Sequence, residues 1–111
     1  MNIVKFVFNP LEENTYVVWD QTLEAIIIDA GNSNSAENER LADFVTEQGL
    51  KPVMAVNTHG HFDHMLGVQF LKERYGVKFA MSSKDDYLRS MLSENFAYFC
   101  SGTVMPAPEI D

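Results

Sequence analysis

Three consecutive isoleucines, Ile26–Ile28, lie in the segment LEAIIIDAG, residues 23–31. Isoleucine is β-branched and favours the extended backbone of a strand. A strand with one face in solvent alternates apolar and polar residues, whereas a strand covered on both faces carries a continuous apolar run. We therefore predict a strand over residues 23–31 that is buried on both faces.

Two more strand patterns come before this segment, at residues 2–8 and 14–19. Asn9-Pro10 separates them, because proline has no N–H to donate and Asn-Pro favours a turn. Asp20-Gln21 fits a two-residue hairpin connection between the second strand and the isoleucine segment. The first part of the chain is therefore predicted to be an antiparallel meander.

Helices and strands alternate after residue 31. Asn34 and Glu37 fit a helix-capping box, the apolar stripe within residues 41–45 has helical spacing, and Gly49 is a natural end. The remaining predicted elements are a strand at 52–57, a helix at 64–75, a strand at 77–82, a helix from Ser83 and an irregular exit segment at 103–111. A meander followed by this alternation predicts an α/β domain with a mixed sheet and flanking helices.

The bulk composition limits the possible partners. The chain of 111 residues has the length of one small domain, and its net charge of −8 argues against binding to nucleic acid or to an anionic membrane. Cys100 is the sole cysteine, so an internal disulfide is impossible and a cytoplasmic location is expected. The N-terminus has no signal-peptide pattern, and no segment is long enough to span a membrane.

All three histidines of the chain occur in the run THGHFDH, residues 58–64. His59 and His61 are two residues apart, so in extended backbone they project to the same side and can converge on one metal ion. Asp63 and His64 follow where the chain turns into a helix, and they can begin a second site beside the first. A single histidine is more often structural than a ligand, but this concentration at a strand-to-helix junction favours metal binding, with zinc, iron or manganese as candidates.

This run matches H-x-H-x-D-H, and through it the chain resembles the metallo-β-lactamase superfamily. NTYVV, residues 14–18, looks like the second strand of the glyoxalase II-like (hydroxyacylglutathione hydrolase-like) branch. AIIIDAG, residues 25–31, looks like its IDPG strand end with Ala30 in place of proline, and Gly67 fits the usual sequel to the motif. The resemblance implies the N-terminal half of an α/β/β/α sandwich.

The resemblance also implies a site with two divalent metal ions, most commonly zinc. In that family, His59 and His61 match the ligands of the first ion, and Asp63 and His64 match those of the second. Metal-bound hydroxide would attack the carbonyl of a small thioester or ester substrate, with Asp63 as the catalytic residue that orients it and accepts its proton. Asp29 matches a support residue beside the metal-binding loop.

The chain departs from the family pattern after His64, because the family uses two further histidines and a bridging aspartate that have no match here. We therefore expect residues 1–111 to be a single metallo-β-lactamase-like domain, truncated at the C-terminus and weakly active or inactive alone. A missing C-terminal half or a homodimer would cover its exposed sheet face. The alternatives are a non-catalytic metal-binding or self-assembling half-domain, and a structural scaffold that leaves the histidines without metal.

Overall fold

The described part of the chain folds into one five-stranded sheet with two helices. The computed structural model describes residues 1–58, 61–82 and 108–111. In chain order the elements are β1 Asn2–Phe8, β2 Glu13–Trp19, β3 Glu24–Ile28, α1 Ser35–Gln48, β4 Lys51–Val56, a short 3-10 turn Phe62–His64, α2 Val68–Tyr75 and β5 Lys78–Ala80. The predicted helix from Ser83 lies outside the described residues.

The sheet is mixed, as the sequence predicts. Its strand order is β1-β2-β3-β4-β5, with antiparallel pairing from β1 to β3 and parallel pairing from β3 to β5. The two parallel connections run through α1 and α2 and advance in the same direction across the sheet. Right-handed crossovers therefore place both helices on one face.

We call the face beneath the helices the covered face. Its buried apolar strand residues are Phe6, Phe8, Val17, Ala25, Ile27, Ala55 and Phe79. They form one cluster with Leu41 and Val45 of α1 and Leu71 of α2. This cluster is the hydrophobic core, and its burial is the main force that holds the helices to the sheet.

The opposite face carries a row of apolar side chains aligned by the strand register: Ile3, Val18, Ile26 and Met54. We call this row the open face, since Ile3 is 62% exposed and Ile26 is 40% exposed. The predicted burial of the isoleucine strand on both faces is therefore wrong. Ile27 is fully buried, but Ile26 projects away from the helices, and no second layer of the described residues covers it.

The two hairpin connections differ in how well their sequences predict them. The turn at Asn9-Pro10 is present, and it closes with a bond from the Glu12 N–H to the Asn9 carbonyl at 3.1 Å. The connection at Asp20-Gln21 is longer than predicted and occupies residues 20–23. Leu23 donates its N–H to the Asp20 carbonyl at 3.0 Å, which closes the turn over four residues. The φ of Leu23 is positive, at 67°.

Helix α1 begins with half of the predicted capping box. The Asn34 side chain accepts the N–H of Glu37 at 2.8 Å. The Glu37 carboxylate does not return to Asn34, as a complete box requires, but accepts the backbone N–H groups of Ser33 and Asn9, each at 2.8 Å. Gly49 ends the helix in the left-handed conformation with φ of 66°, as predicted.

The second helix begins later than predicted. The sequence pattern suggests a helix from residue 64, but residues 62–64 form the 3-10 turn and α2 starts at Val68. The N–H of Gly67 donates to the carbonyl of Ala30 at 2.8 Å, which ties the segment before α2 to the end of β3. This bond fixes the 3-10 turn, which contains His64, at the edge of the sheet, and the turn is therefore separate from α2.

The last described residues lie beside β5. Asp111 exchanges two bonds with Phe79, one through its backbone N–H and one through its carboxylate, each at 2.9 Å. The same carboxylate lies 2.9 Å from Lys72 Nζ. Among the described residues, the helices are too short and too polar to cross a membrane.

Candidate metal centre

Polar side chains gather at the edge of the sheet where β3 and β4 end and β2 begins. Asp29 directly follows β3, and Thr58 lies two residues after β4. Glu13 is the first residue of β2, which runs antiparallel to β3 and so starts at the same edge. The carboxyl ends of parallel strands are a common place for ligand sites in open α/β sheets.

His64 is at the centre of this group, and its two ring nitrogens face different surroundings. Nδ1 lies 3.3 Å from Glu13 Oε1 and 3.3 Å from Asp29 Oδ2. Nε2 lies 3.4 Å from Asp63 Oδ2. The Nδ1 side of the ring therefore faces two buried carboxyl groups, and the Nε2 side lies beside a third carboxylate, that of Asp63.

The separation between His64 Nε2 and Asp63 Oδ2 fits a shared metal ion. Two donor atoms that bind one tetrahedral zinc at about 2.0–2.1 Å lie about 3.3–3.4 Å apart. Imidazole nitrogen and carboxylate oxygen are also suitable donors for zinc, iron and manganese. The donor types and the 3.4 Å separation therefore both suit a divalent ion.

Asp29 is held in place by Thr58. Its Oδ1 accepts the Thr58 N–H and its Oδ2 accepts the Thr58 hydroxyl, each at 2.7 Å. Burial acts to raise the pKa of Asp29, but the nearby His64 imidazole and the two hydrogen bonds from Thr58 outweigh it and lower the pKa. Asp29 also has a positive φ of 55°, a conformation that aspartate tolerates better than most residues.

Glu13 is buried and belongs to the covered face. Burial raises the pKa of its carboxyl group to about 9, with Thr15 opposing the rise and the neighbouring carboxylates adding to it. Thr15 Oγ1 lies 2.8 Å from both Glu13 Oε2 and the Asp29 carbonyl, and it accepts the Gly31 N–H at 2.9 Å. A protonated Glu13 can donate to Thr15, which leaves the threonine hydrogen for the carbonyl and satisfies all three groups.

The protonation of His64 reflects the same carboxyl groups. Burial acts to lower the pKa of His64, but the Asp29 carboxylate 3.3 Å from Nδ1 and the charge of Asp63 raise it. An Nδ1–H that points at Asp29 leaves Nε2 as the nitrogen able to bind a metal. Carboxylates that hold a ligating histidine in this way are typical of protein metal sites.

Two glycines allow the segments of the site to approach one another. A Cβ at Gly31 would overlap the Glu13 carboxylate and would lie 2.8 Å from the Asp63 carbonyl oxygen. A Cβ at Gly67 would overlap the side chain of Asn32, which is fully buried. The glycine that follows the histidine motif is therefore required by packing.

The structure describes three of the four predicted metal ligands. Asp63 and His64 are brought together with the predicted support residue Asp29. His61 is exposed, and its ring centroid lies 6.5 Å from that of His64. His59 lies outside the described residues, so the pairing of His59 with His61 stays a prediction.

Sequence reasoning missed Glu13, Thr15 and Thr58. A signal for the first two was present, since Glu13, Thr15 and Val17 are two residues apart and therefore share the inward face of β2. A carboxyl group at a core-facing strand position is rare without a specific partner. Thr58 carries no comparable signal, because threonine is common at strand ends.

Glu13, Asp29 and His64 also form a candidate cation site, since one ligand atom from each lies within 4.8 Å of the others. The hydrogen bonds favour a different role. Asp29 already accepts twice from Thr58, and Glu13 Oε2 is already paired with the Thr15 hydroxyl. These two carboxyl groups are better suited to orienting His64 than to binding metal beside it.

Comparison with known proteins identifies the family. The family model for the metallo-beta-lactamase superfamily matches residues 8–111. A hydroxyacylglutathione hydrolase, GloC, of Haemophilus influenzae is 33% identical over 100 residues, a match covering 89% of this chain and 45% of that protein. The chain thus spans less than half the length of this curated relative.

The fold is shared with solved structures. The B3 metallo-beta-lactamase BLEG-1 superposes with a TM-score of 0.82 and 22% identity, over 99% of this chain and 51% of that one. TTHA1623 in a di-iron-bound form superposes with a TM-score of 0.79 and 26% identity, over 97% of this chain and 51% of that one. The sequence match and the shared fold agree: the chain belongs to the metallo-beta-lactamase superfamily.

Proposed function

We propose that this chain forms the N-terminal part of a metal-dependent hydrolase that acts on a small thioester or ester. The observation that carries the proposal is the approach of His64 Nε2 to Asp63 Oδ2 at 3.4 Å, with the far side of the imidazole held by buried carboxyl groups. A histidine fixed in this way presents one nitrogen in one direction. Membership of a hydrolase superfamily supports the same conclusion.

The proposed mechanism assigns separate tasks to the residues of the motif. Asp63 and His64 would hold one divalent ion, and His59 and His61 would hold the other. Such ions lower the pKa of a water molecule and polarise a carbonyl oxygen. Asp63 would orient the attacking water and accept its proton, while Asp29 keeps the His64 ring in place through its Nδ1 side.

The proposed substrate and metal follow from the relatives. The Haemophilus relative is named a hydroxyacylglutathione hydrolase, so we propose a thioester of that kind as the first substrate to test. We propose zinc as the metal, with iron and manganese as the other candidates. The di-iron form of TTHA1623 makes iron a necessary part of any metal trial.

Further metal ligands are needed, because zinc sites with catalytic activity usually have three protein ligands for each ion. The motif offers two for each ion, and the chain has no histidine beyond His64. We propose that a C-terminal half covers the open face and brings the remaining ligands. The 45% coverage of the Haemophilus relative supports this proposal.

A second candidate is a non-catalytic half-domain that binds metal and assembles with itself. The open face favours it, since Ile3 and Ile26 present apolar surface that a second copy can cover. A symmetric dimer would duplicate the same four ligands and would not supply the missing histidines. This candidate therefore predicts metal binding and association without turnover.

The test combines metal titration with thioester hydrolysis. Zinc, iron(II) and manganese(II) would be titrated into the 111-residue chain, into Asp63→Asn, and into Asp43→Asn as a control at an exposed position of α1. We expect weak binding by the wild type and by the control, and binding about 10–100-fold weaker in Asp63→Asn. Hydrolysis of a hydroxyacyl-glutathione thioester would be measured with the chain alone and with the C-terminal half of the Haemophilus relative fused to it.

Turnover that appears only in the fusion, and is lost again with Asp63→Asn, would support the hydrolase. Metal binding without turnover in either form would favour the self-assembling half-domain. Equal affinity in Asp63→Asn and Asp43→Asn would contradict both candidates, since each requires Asp63 as a ligand.

A further inference from the structure

The turn between β1 and β2 reaches the candidate metal centre through one side chain. Asn9 is buried there, and its Nδ2 donates to the carbonyl of Gly31 at 3.1 Å and to the carbonyl of Asp63 at 3.0 Å. A side-chain amide nitrogen carries two hydrogens, so both bonds form at the same time. Asn9 therefore links the segment after β3 to the 3-10 turn that contains the metal-binding residues.

Asn9 is itself fixed from several sides. Its backbone N–H donates to Glu37 Oε2 at the start of α1, and its Oδ1 accepts the N–H of Leu11 at 2.9 Å. Its carbonyl accepts the N–H of Glu12, and its φ of 57° is left-handed, a conformation that asparagine adopts more readily than most residues. The amide thus has one orientation, set by the turn and by α1.

The segments that Asn9 joins are in close approach. Gly31 lies two residues after Asp29, and a Cβ there would come within 2.9 Å of Asn9 Nδ2 and 2.8 Å of the Asp63 carbonyl oxygen. The bond from Asn9 to Asp63 joins residues that are 54 positions apart in the chain. A long-range bond of this kind sets the distance between two loops that no local interaction determines.

We propose that Asn9 is a positioning residue of the metal centre. By fixing the Asp63 backbone relative to Gly31, it sets where the Asp63 carboxylate and the His64 ring stand relative to Asp29. The inference deepens the proposed function and rests on it for the metal-binding roles of Asp63 and His64. Asn9 acts through the backbone and does not touch a substrate or a metal.

The first test is hydrogen exchange in the metal-free chain. Asn9→Gly keeps the left-handed backbone, which glycine adopts freely, and removes the amide. The backbone N–H groups of His64 and Met65 donate within the 3-10 turn at 3.0 and 3.1 Å, and they report its local stability. We expect their exchange to become at least about tenfold faster in Asn9→Gly, while the amides of β2 and β3 stay within about twofold of wild type.

The matched control is Glu12→Gly. Glu12 lies in the same turn, has a positive φ of 55° and is exposed, so the same replacement removes no contact to the metal-binding segment. It should leave the exchange of His64 and Met65 unchanged. Equal acceleration in both variants would assign the effect to the turn and would overturn the proposal, as would wild-type exchange in Asn9→Gly.

A measurement on the wild-type chain guards against a variant that does not fold. The side-chain amide protons of Asn9 should exchange at least about tenfold more slowly than those of exposed Asn14, because both Asn9 protons are hydrogen-bonded. Similar rates for the two side chains would overturn the proposal without any substitution.

Cobalt(II) titration separates this inference from the proposed function. Asn9→Gly should bind cobalt about tenfold more weakly than wild type and Glu12→Gly, with a changed visible spectrum that a uniform loss of stability would not produce. Unaltered affinity and spectrum would overturn the role of Asn9 at the metal centre. If neither the wild-type chain nor its fusion to a C-terminal half binds cobalt, the proposed function fails, and the exchange rates still decide whether Asn9 positions Asp63.

Discussion

The two faces of the sheet differ in what covers them, although both are apolar. Ile26 and Ile27 are neighbours of the same type in β3, yet Ile27 is fully buried under the helices and Ile26 is 40% exposed. The faces also differ in their polar groups. The covered face contains Glu13 and Thr15 in β2, and both are buried and bonded to the residues around the metal centre.

This difference means that, in our proposal, the residues supporting the metal centre and the ligands that would complete it belong to opposite faces of the sheet. Glu13 and Asp29, which face His64 Nδ1, are buried in the layer formed by the covered face and the helices. Their arrangement therefore depends on contacts that the chain makes within itself. The ligands that the motif lacks belong, in our proposal, to whatever covers the open face, so we expect His64 to be oriented before the site is complete.

The largest expected effect compares Ile27→Ala with Ile26→Ala. Ile27→Ala leaves a cavity in the core and should lower the free energy of unfolding by about 2–5 kcal/mol. Ile26→Ala removes side-chain atoms that remain in contact with water and should lower it by less than about 1 kcal/mol. Urea unfolding of the metal-free chain at low protein concentration measures both values.

Equal losses in the two variants would break the comparison, because they would mean that Ile26 is buried in solution. Repeating the unfolding at higher protein concentration would then show whether a second copy is responsible. A stability that rises with concentration in wild type and not in Ile26→Ala would identify self-association as the source of burial.

The second prediction uses the buried carboxyl group of the covered face. Burial raises the pKa of Glu13 from 4.5 to about 9, so between these pH values the folded chain binds a proton that the unfolded chain has released. The metal-free chain should therefore lose stability as the pH rises from about 5 to 9. His64, whose pKa is also raised, contributes with the same sign, whereas the stability due to Asp29 is lost only as the pH falls.

Glu13→Gln should flatten this dependence, because glutamine resembles the protonated acid and does not titrate. Thermal unfolding with a chelator at pH 5.5 and 8.5 would compare it with Glu24→Gln, a change at an exposed residue of β3. We expect the fall in melting temperature between the two pH values to be smaller only in Glu13→Gln. A wild-type slope in that variant would show that Glu13 does not remain protonated in the folded chain.

Local patterns predicted most of the fold. Runs rich in β-branched residues predicted the strand positions, and Asn34 and Gly49 marked the ends of α1 because capping depends on neighbouring residues only. The motif at residues 58–64 indicated a metal centre because its residue types and spacing are specific. What the pattern could not determine was whether a second layer covers Ile26, since that depends on contacts beyond the strand.

Long-range contacts explain what sequence reasoning missed at the site. Asn9 contacts Asp63 from 54 positions away, and Thr58 contacts Asp29 from 29 positions away. Their roles depend on how the strands are ordered in the sheet, which hydrophobic periodicity does not specify. Glu13 was the exception, because its core-facing position in β2 could have been read from the sequence once the strand was extended by one residue.

The smallest expected effect on stability, and the sharpest test of the open face, is the double change Ile3→Thr, Ile26→Thr. Both side chains are exposed and threonine is also β-branched, so the free energy of unfolding of the dilute chain should change by less than about 1 kcal/mol.

We expect the wild-type chain to associate as its concentration rises, because adjacent apolar side chains on an uncovered sheet face favour contact with a second copy. Sedimentation velocity over a range of concentrations should show this association in wild type and in Leu11→Thr, a control at an exposed residue away from the row, and not in the double variant. A wild-type chain that stays monomeric at every concentration would contradict the self-assembling half-domain. If the wild-type chain does associate, fusion of a C-terminal half should abolish that association, because a half that covers Ile3 and Ile26 must remove the surface on which two copies meet.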